Sequence, residues 1–229
     1  MGKQKKKTSL QKRRKRRLLR AYLIFLLILL LTVGIGIGAL VLEQFIPFRT
    51  ADIVIDPGHG DHDPGAVADD IYEKGITLDI ALKTEKILKE AGYKVRLTRN
   101  DDSFLELGER AEFANKRNAK VFVSIHCNSS EDGSGQGIET YYGESKTAAD
   151  LALAEKIQEC LIAQTGARDR EMKDATYTVL VRTKMPAALV ETGFMTNDKE
   201  RAQLMDDHYQ ELIALGISEG IISYLEESK

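Results

Sequence analysis

The densest run of chemically capable side chains is IDPGHGDHDPGA, residues 55–66, with two histidines, three aspartates, three glycines and two prolines in twelve positions. It begins where the apolar trio Ile53, Val54 and Ile55 ends, so a short buried strand is expected to run straight into a polar turn. Two other apolar runs end on a group that can bind a metal or carry a proton. Val121–Ile125 leads to His126, and Ala187–Val190 leads to Glu191. Ligands in open α/β sheets collect at the carboxyl ends of strands, so these three endings converge if the strands are neighbours. A hydrolytic zinc site needs three protein ligands and one open position. His59, Glu73 and His126 can supply the three, with Glu73 at the start of the helical segment EKGITLDIALKTEKIL. The glycines around His59 let the backbone turn sharply and leave room for a substrate.

Each residue also has an ordinary reading. His59 can be a turn histidine, His126 a strand-end histidine held by a backbone partner, and Glu73 a helix-start acid facing the positive end of the helix dipole. The HGDH run places His59 and His62 three apart around Asp61, as in the second half of the metal motif of metallo-β-lactamase-like hydrolases. Pro57 stands where that motif needs its first histidine, and only His126 and His208 remain downstream. His62 is therefore read as solvent-facing or near a substrate, and His208 as a surface residue at the start of the last helix. Cys127 and Cys160 have no metal-like spacing. Cys160 falls on an apolar helical stripe and is expected to pack; a disulfide between the two is possible outside the cytosol.

The elements that must position these groups alternate along the chain. Strand-like runs occur at Ile53–Ile55, Val95–Leu97, Val121–Ile125, Ile138–Tyr142, Val179–Val181 and Ala187–Val190. Helical stripes lie between them: Ile76, Ile80, Thr84, Ile87 and Leu88, stopped by Gly92; Leu107, Ala111 and Ala114; Leu153, Ile157 and Leu161; and Ile213, Ile217, Ile221 and Tyr224. This alternation predicts an α/β domain over residues 52–229, with a mostly parallel central sheet of about six strands and helices on both faces.

The first fifty residues are different in kind. Residues 1–20 hold eleven Lys or Arg and no acid, which leaves 22 bases against 35 acids in the remaining 209 residues, a net charge of −13. Residues 21–42 contain no charge at all. As a helix rising about 1.5 Å per residue, 22 residues span roughly 33 Å, enough for a hydrocarbon core of about 30 Å. A cleaved signal peptide has a shorter apolar region, about 7–15 residues. Lying directly before a span, the basic block reads as a topology determinant that stays cytoplasmic rather than as a nucleic-acid tract. The expected organisation is a basic cytoplasmic tail (1–20), a transmembrane helix (21–42), a short linker (43–51) and an extracytoplasmic domain.

The runs IVIDPGHGDHDPGA, EKGITLDIA, YKVRLTRNDD, ERAEFANKRNAKVFVSIHCNS, GIETYY and TKMPAALVETGFMTN together resemble the zinc-dependent N-acetylmuramoyl-L-alanine amidases of bacterial cell walls, over about residues 52–225. The resemblance implies that His59, Glu73 and His126 bind Zn2+ and that Glu191 is the catalytic base. It implies a peptidoglycan hydrolase, anchored to the membrane if residues 21–42 span it, in which zinc-activated water cleaves the amide between the lactyl group of N-acetylmuramic acid and L-alanine of the stem peptide. Peptidoglycan is then the partner, together with the membrane and an activator protein that the sequence does not identify. Asn128, Glu139 and Arg99, with Arg110, lie inside the matching runs and are candidates for substrate contact or for structural pairing. Cys127 replaces a small residue common after SIH, and RDREMK stands where the family often has Arg-Gly-Val-Lys. The alternative is a binding or regulatory protein that keeps the fold without chemistry. Such a protein is expected to lose a ligand or the base, and all four positions are intact here.

Overall fold

The computed structural model describes residues 24, 26–28, 30–32, 50–143 and 147–228. The chain divides into two units, Met1–Arg49 and Thr50–Lys229. In the first unit the described residues are helical, with Ile24, Leu27, Ile28, Leu30 and Leu31 exposed. Among the described residues no helix is long and apolar enough to cross a membrane. The basic tail 1–20, most of the predicted span 21–42 and residues 43–49 of the predicted linker lie outside the described residues.

The second unit is built on a six-stranded sheet. Its strands are β1 (Ile53–Pro57), β4 (Val95–Leu97), β5 (Val121–Asn128), β6 (Ile138–Gly143), β7 (Asp169–Ala175) and β8 (Ala187–Phe194). A separate small hairpin holds β2 (Val67–Ala68) and β3 (Ile71–Tyr72). The order across the sheet is β4-β1-β5-β8-β6-β7. β4, β1, β5 and β8 run parallel. β6 pairs antiparallel with β8, and β7 follows it in parallel. The sheet is therefore mixed, with two of its six strands reversed.

Side chains of a strand alternate between the two faces, and both faces are covered here. Ile53, Ile55, Val121, Val123, Ile125, Ala188 and Val190 pack on one side against α1 (Glu73–Glu90), α3 (Ala148–Thr165) and α6 (Asp207–Glu227). Val54, Phe122, Ala187 and Leu189 pack on the other against α2 (Leu107–Lys116) and α4 (Thr178–Arg182). The last two long helices approach very closely. A Cβ at Gly220 would lie 2.5 Å from the backbone of Ile157, and one at Gly216 would lie 2.8 Å from that of Leu161.

Two expectations about elements are corrected. Val179–Val181 is helical, inside α4, and is not a strand. Three apolar residues are too few for their period to separate a strand from a helix. The sixth strand is instead β7, whose sequence DREMKDA holds few apolar residues. It lies at the sheet edge, where charged residues are ordinary. A further short helix, α5 (Asp198–Leu204), follows β8 and is capped by the Asn197 side chain. Cys127 and Cys160 are both free, Cys127 buried and Cys160 half-buried.

Candidate active site

The carboxyl ends of β1, β5 and β8 lie side by side, as the three apolar runs imply. At the end of β1 the chain turns through Gly58 and His59, which has φ of 63°. Two buried arginines hold this turn by its carbonyls. Arg99 donates to the carbonyls of Pro57, Gly58 and Lys74. Arg110 donates to those of Pro57 and His59 and pairs with the fully buried Asp56 at 3.1 Å. Asp56 also accepts from Thr98 at 2.5 Å and from Ser124 at 2.8 Å. Arg99 thus lies beneath the turn, spent on backbone, and does not face the groove. Gly58 is required by packing, because a Cβ there would lie 2.3 Å from the His126 ring. Gly65, at φ of 68°, leaves room in the same way for Glu73 and His59.

Glu73 opens α1 and points back to the strand ends, so that three donor atoms meet. His59 Nε2 is 3.0 Å from Glu73 Oε1, His126 Nδ1 is 3.1 Å from the same oxygen, and the two ring nitrogens are 3.1 Å apart. Each is fixed from behind. Asp63 takes the other ring nitrogen of His59 at 2.8 Å. Glu73 Oε2 accepts from the Ala66 amide, and Oε1 accepts from that of Cys127. Thr192 holds the His126 carbonyl. The Cys127 side chain packs in the core on the opposite face from His126.

Burial pushes the Glu73 carboxyl up, but its bonds to His126 and His59 outweigh this and hold it well below the usual range. His59 is lowered by burial and raised more by Glu73 and Asp63, with a net rise. These three side chains form a group able to hold a metal ion. In the neutral ring, a proton on His59 Nδ1 donated to Asp63 leaves Nε2 without one. Hydrogen bonding then has one imidazole proton to share among three mutually facing acceptors. A cation satisfies all three, and tetrahedral ligands with bonds of about 2.0–2.1 Å lie about 3.3 Å apart, close to the spacing here.

Glu191 pairs with His126 across β5 and β8 and with Glu139 across β8 and β6. Its Oε2 is buried and has no hydrogen-bond partner. Burial raises its pKa to about 7, with Glu73 and Glu139 adding to the rise and His126 and His59 opposing it. His59, Glu73, His126, Asn128 and Glu191 line one groove of about 440 Å³, closed on its other side by Leu107, Leu189 and the 176–179 segment with Tyr177. A protonatable oxygen without a partner therefore sits in the same groove as the metal-ligand group.

Glu139 is buried behind this wall. It accepts from Asn128 at 2.7 Å, from the Tyr141 hydroxyl at 2.8 Å, from Arg170 at 2.7 Å and from Lys173. Burial pushes its pKa up, and these bonds bring it below the usual carboxylate value, so it is ionised. Of the sequence candidates for substrate contact, Asn128 lines the groove and Glu139 stands behind it. His62 lies apart from the ligand group, exposed, with its ring on Phe104. His208 is exposed in the first turn of α6. Sequence reasoning did not single out Asp63 or Asp56, the residues that hold His59 and Arg110. The only signal was their presence in the same twelve-residue knot.

Two half-buried imidazoles and a buried carboxylate at strand ends, with a further carboxylate in the same groove, form the kind of group that a metal-dependent hydrolase of α/β architecture requires. Residues 53–223 match the family model Amidase_3, N-acetylmuramoyl-L-alanine amidase, and the chain belongs to that family of peptidoglycan hydrolases. N-acetylmuramoyl-L-alanine amidase LytC of Bacillus subtilis is 42% identical over 173 residues, which are 75% of this chain and 35% of LytC, so the chain spans about a third of that relative's length. The catalytic domain of CwlV, an amidase of Bacillus (Paenibacillus) polymyxa var. colistinus, superposes with a TM-score of 0.73 at 44% identity, covering 76% of this chain and 97% of that one. The CwlD amidase of Clostridioides difficile, solved in complex with the GerS lipoprotein, superposes with a TM-score of 0.74 at 36% identity, covering 78% and 100%.

Proposed function

We propose that this protein is a membrane-anchored peptidoglycan amidase that hydrolyses the bond between the lactyl group of N-acetylmuramic acid and L-alanine of the stem peptide. The observation that carries the reading is the meeting of His59, Glu73 and His126 within 3.1 Å of one another, beside the unpartnered oxygen of Glu191. His59, Glu73 and His126 would hold the metal, and two imidazoles with one carboxylate suit zinc. Bound there, zinc supplies Lewis acidity that polarises a carbonyl and makes water acidic near neutral pH. Asp63 keeps the His59 ring turned with Nε2 forward. Glu191 takes a proton from the attacking water at Oε2 and returns it to the departing amine of L-alanine. Its orphaned oxygen and raised pKa suit a group that must both accept and release a proton. Asn128, held by Glu139, presents an amide to the groove and orients the substrate. Residues 21–42 form the anchor, and an activator protein is a further partner. The complex of CwlD with a lipoprotein supports that last point by likeness alone.

The test is digestion of purified peptidoglycan with the full chain, with mass spectrometry of the new ends. Free amino groups on L-alanine are expected, together with about one zinc per chain by elemental analysis. Zinc-loaded protein that binds peptidoglycan and releases no such ends would instead be a regulatory member of the fold.

A further inference from the structure

We propose that the amino-terminal end of the central sheet is a basic docking surface for anionic phospholipid, which holds the catalytic unit on the bilayer and leaves its groove open to the wall. The inference rests on the anchor in the proposed function and adds how the anchored unit is oriented. β4, β1, β5 and β8 run parallel, so their first residues share one end of the sheet. Backbone bonds tie the segments there together. The Asp52 amide donates to the Lys94 carbonyl, that of Lys120 to Asp52, and that of Ala51 to Arg117. The Lys184 amide donates to the Asn115 side chain in the last turn of α2. Lys94, Lys116, Arg117, Lys120 and Lys184 are thereby gathered at one end, and all but Arg117 are exposed. Two acids stand among them. Asp52 pairs with Lys120 at 2.9 Å and Glu112 with Lys116 at 2.8 Å, yet the two lysine side chains remain 65% and 68% exposed. Among the described residues no acid pairs with Lys94, Arg117 or Lys184.

Arg117 is fixed there without a carboxylate. Its guanidinium lies 3.3 Å from the centre of the Phe113 ring, Nη1 donates to the Phe113 carbonyl, and the buried Nε has no partner. Burial and the nearby Arg96 both push its pKa down, so the fold opposes this charge and does not offset it. The rest of the unit has the opposite sign: residues 21–229 carry 22 bases and 35 acids, a net charge of −13. α1 and α6 end on the acids Glu90, Glu226 and Glu227, but these helices pack on the other face of the sheet from α2. An anionic surface therefore repels most of the unit and attracts this end, which selects one orientation. The chain also enters the unit here, through Thr50 and Ala51, with residues 43–51 linking it to the proposed span. A tether that short keeps the patch at an effective concentration of order mM beside the bilayer, so a weak attraction suffices. The groove lies elsewhere. α2 runs from Leu107 on the groove wall to Lys116 in the patch, ten residues or about 15 Å.

The experiment places the full chain in lipid nanodiscs made either of phosphatidylcholine alone or of an equimolar mixture with phosphatidylglycerol. An uncharged acetylating reagent is added, and the rate at each lysine is read by mass spectrometry against Lys199, which is exposed beyond the carboxyl end of β8. In the anionic discs Lys94, Lys116, Lys120 and Lys184 are expected to react about threefold more slowly relative to Lys199, as for a unit docked about two-thirds of the time. The ratios should return to those of the neutral discs in about 0.5 M salt, which screens exposed charges. Lys94→Gln combined with Lys184→Gln should restore the reactivity of Lys116 and Lys120. Equal ratios in the two lipids, or protection that survives both the salt and the double substitution, overturn the docking surface. Protection by soluble polyphosphate but not by anionic lipid would give the patch to a wall polymer and overturn the lipid assignment. A chain that enters neither kind of disc sinks the anchor and the docking with it. That result is distinct from incorporation without lipid-dependent protection, which overturns the docking alone.

Discussion

Glu191 carries two separable properties, a proton-accepting oxygen and a buried charge, and one substitution reads both. Glu191→Gln keeps the shape and removes the basicity, so zinc content should be unchanged while turnover falls by about 10²–10⁴-fold. Loss of the metal in that variant would make Glu191 a ligand instead. The buried charge shows in metal-free protein. The folded-state pKa is raised from 4.5 to about 7 by burial, so the protonated form is the favoured one. Its stabilising contribution is complete below pH 4.5 and is lost as pH rises through 7. Chelator-treated Glu191→Gln should therefore gain on the wild type between those values, by on the order of 1–3 kcal/mol at pH 8 in denaturant titrations. A constant difference across that range counts against the buried-charge account. Asp63 acts at one remove, by holding the far nitrogen of His59. Asp63→Ala should weaken zinc binding by about 10–100-fold in competition with a chelator, with the fold intact by circular dichroism. His59, His126 and Glu191 stand out as candidates in the sequence because each follows an apolar run, whereas Glu73 is marked only by its place at the start of a helix. The direction of the Glu191 shift was not legible, since it depends on His126, Glu73 and Glu139, which only folding brings near.

At the scale of elements, the site depends on the β1 turn being held by its backbone. Arg110 is fully buried against Asp56 and carries three carbonyl bonds, to Leu105, Pro57 and His59. Arg110→Leu leaves the Asp56 carboxylate unpaired in the core and should cost about 3–5 kcal/mol of stability, measurable in urea. Gly58→Ala is a sharper probe, because its Cβ would strike the His126 ring rather than the hydrophobic core. That variant should keep its helices and strands and lose most of its zinc. Near-normal metal content would mean that the turn yields easily. The sequence pattern identified β1, β4, β5, β6 and β8, whose apolar runs are continuous or nearly so. It misplaced the sixth strand for a physical reason. β7 has one edge without a partner strand and spends Arg170 and Lys173 on Glu139, so hydrophobicity does not mark it. The three residues Val179–Val181 are too short to separate strand from helix by period. The reversal of β6 was not legible either, because direction is set by the long 129–137 connection and not by the strand's own residues.

For the whole molecule, the question is where the groove can work. Residues 1–20 carry eleven positive charges, and residues 21–42 carry none of either sign. This arrangement favours retention of the basic end in the cytoplasm and passage of the acidic catalytic unit to the outer side. Residues 43–51 then form the only connection, and nine residues extend to at most about 30 Å. The amidase should accordingly act on the wall layer next to the membrane, on strands that the groove can reach without leaving its anchor. Full-length protein is expected in the membrane fraction, resistant to extraction by high salt and by alkaline carbonate, with residues 50–229 open to protease added outside spheroplasts. A chain lacking residues 1–42 should be released when exported by a cleavable signal, and it should digest isolated wall sacculi no more slowly than the full chain in detergent. Recovery of a mature form about forty residues shorter, free in the medium, would replace the anchor with a removed signal segment and extend the range of action to the entire wall.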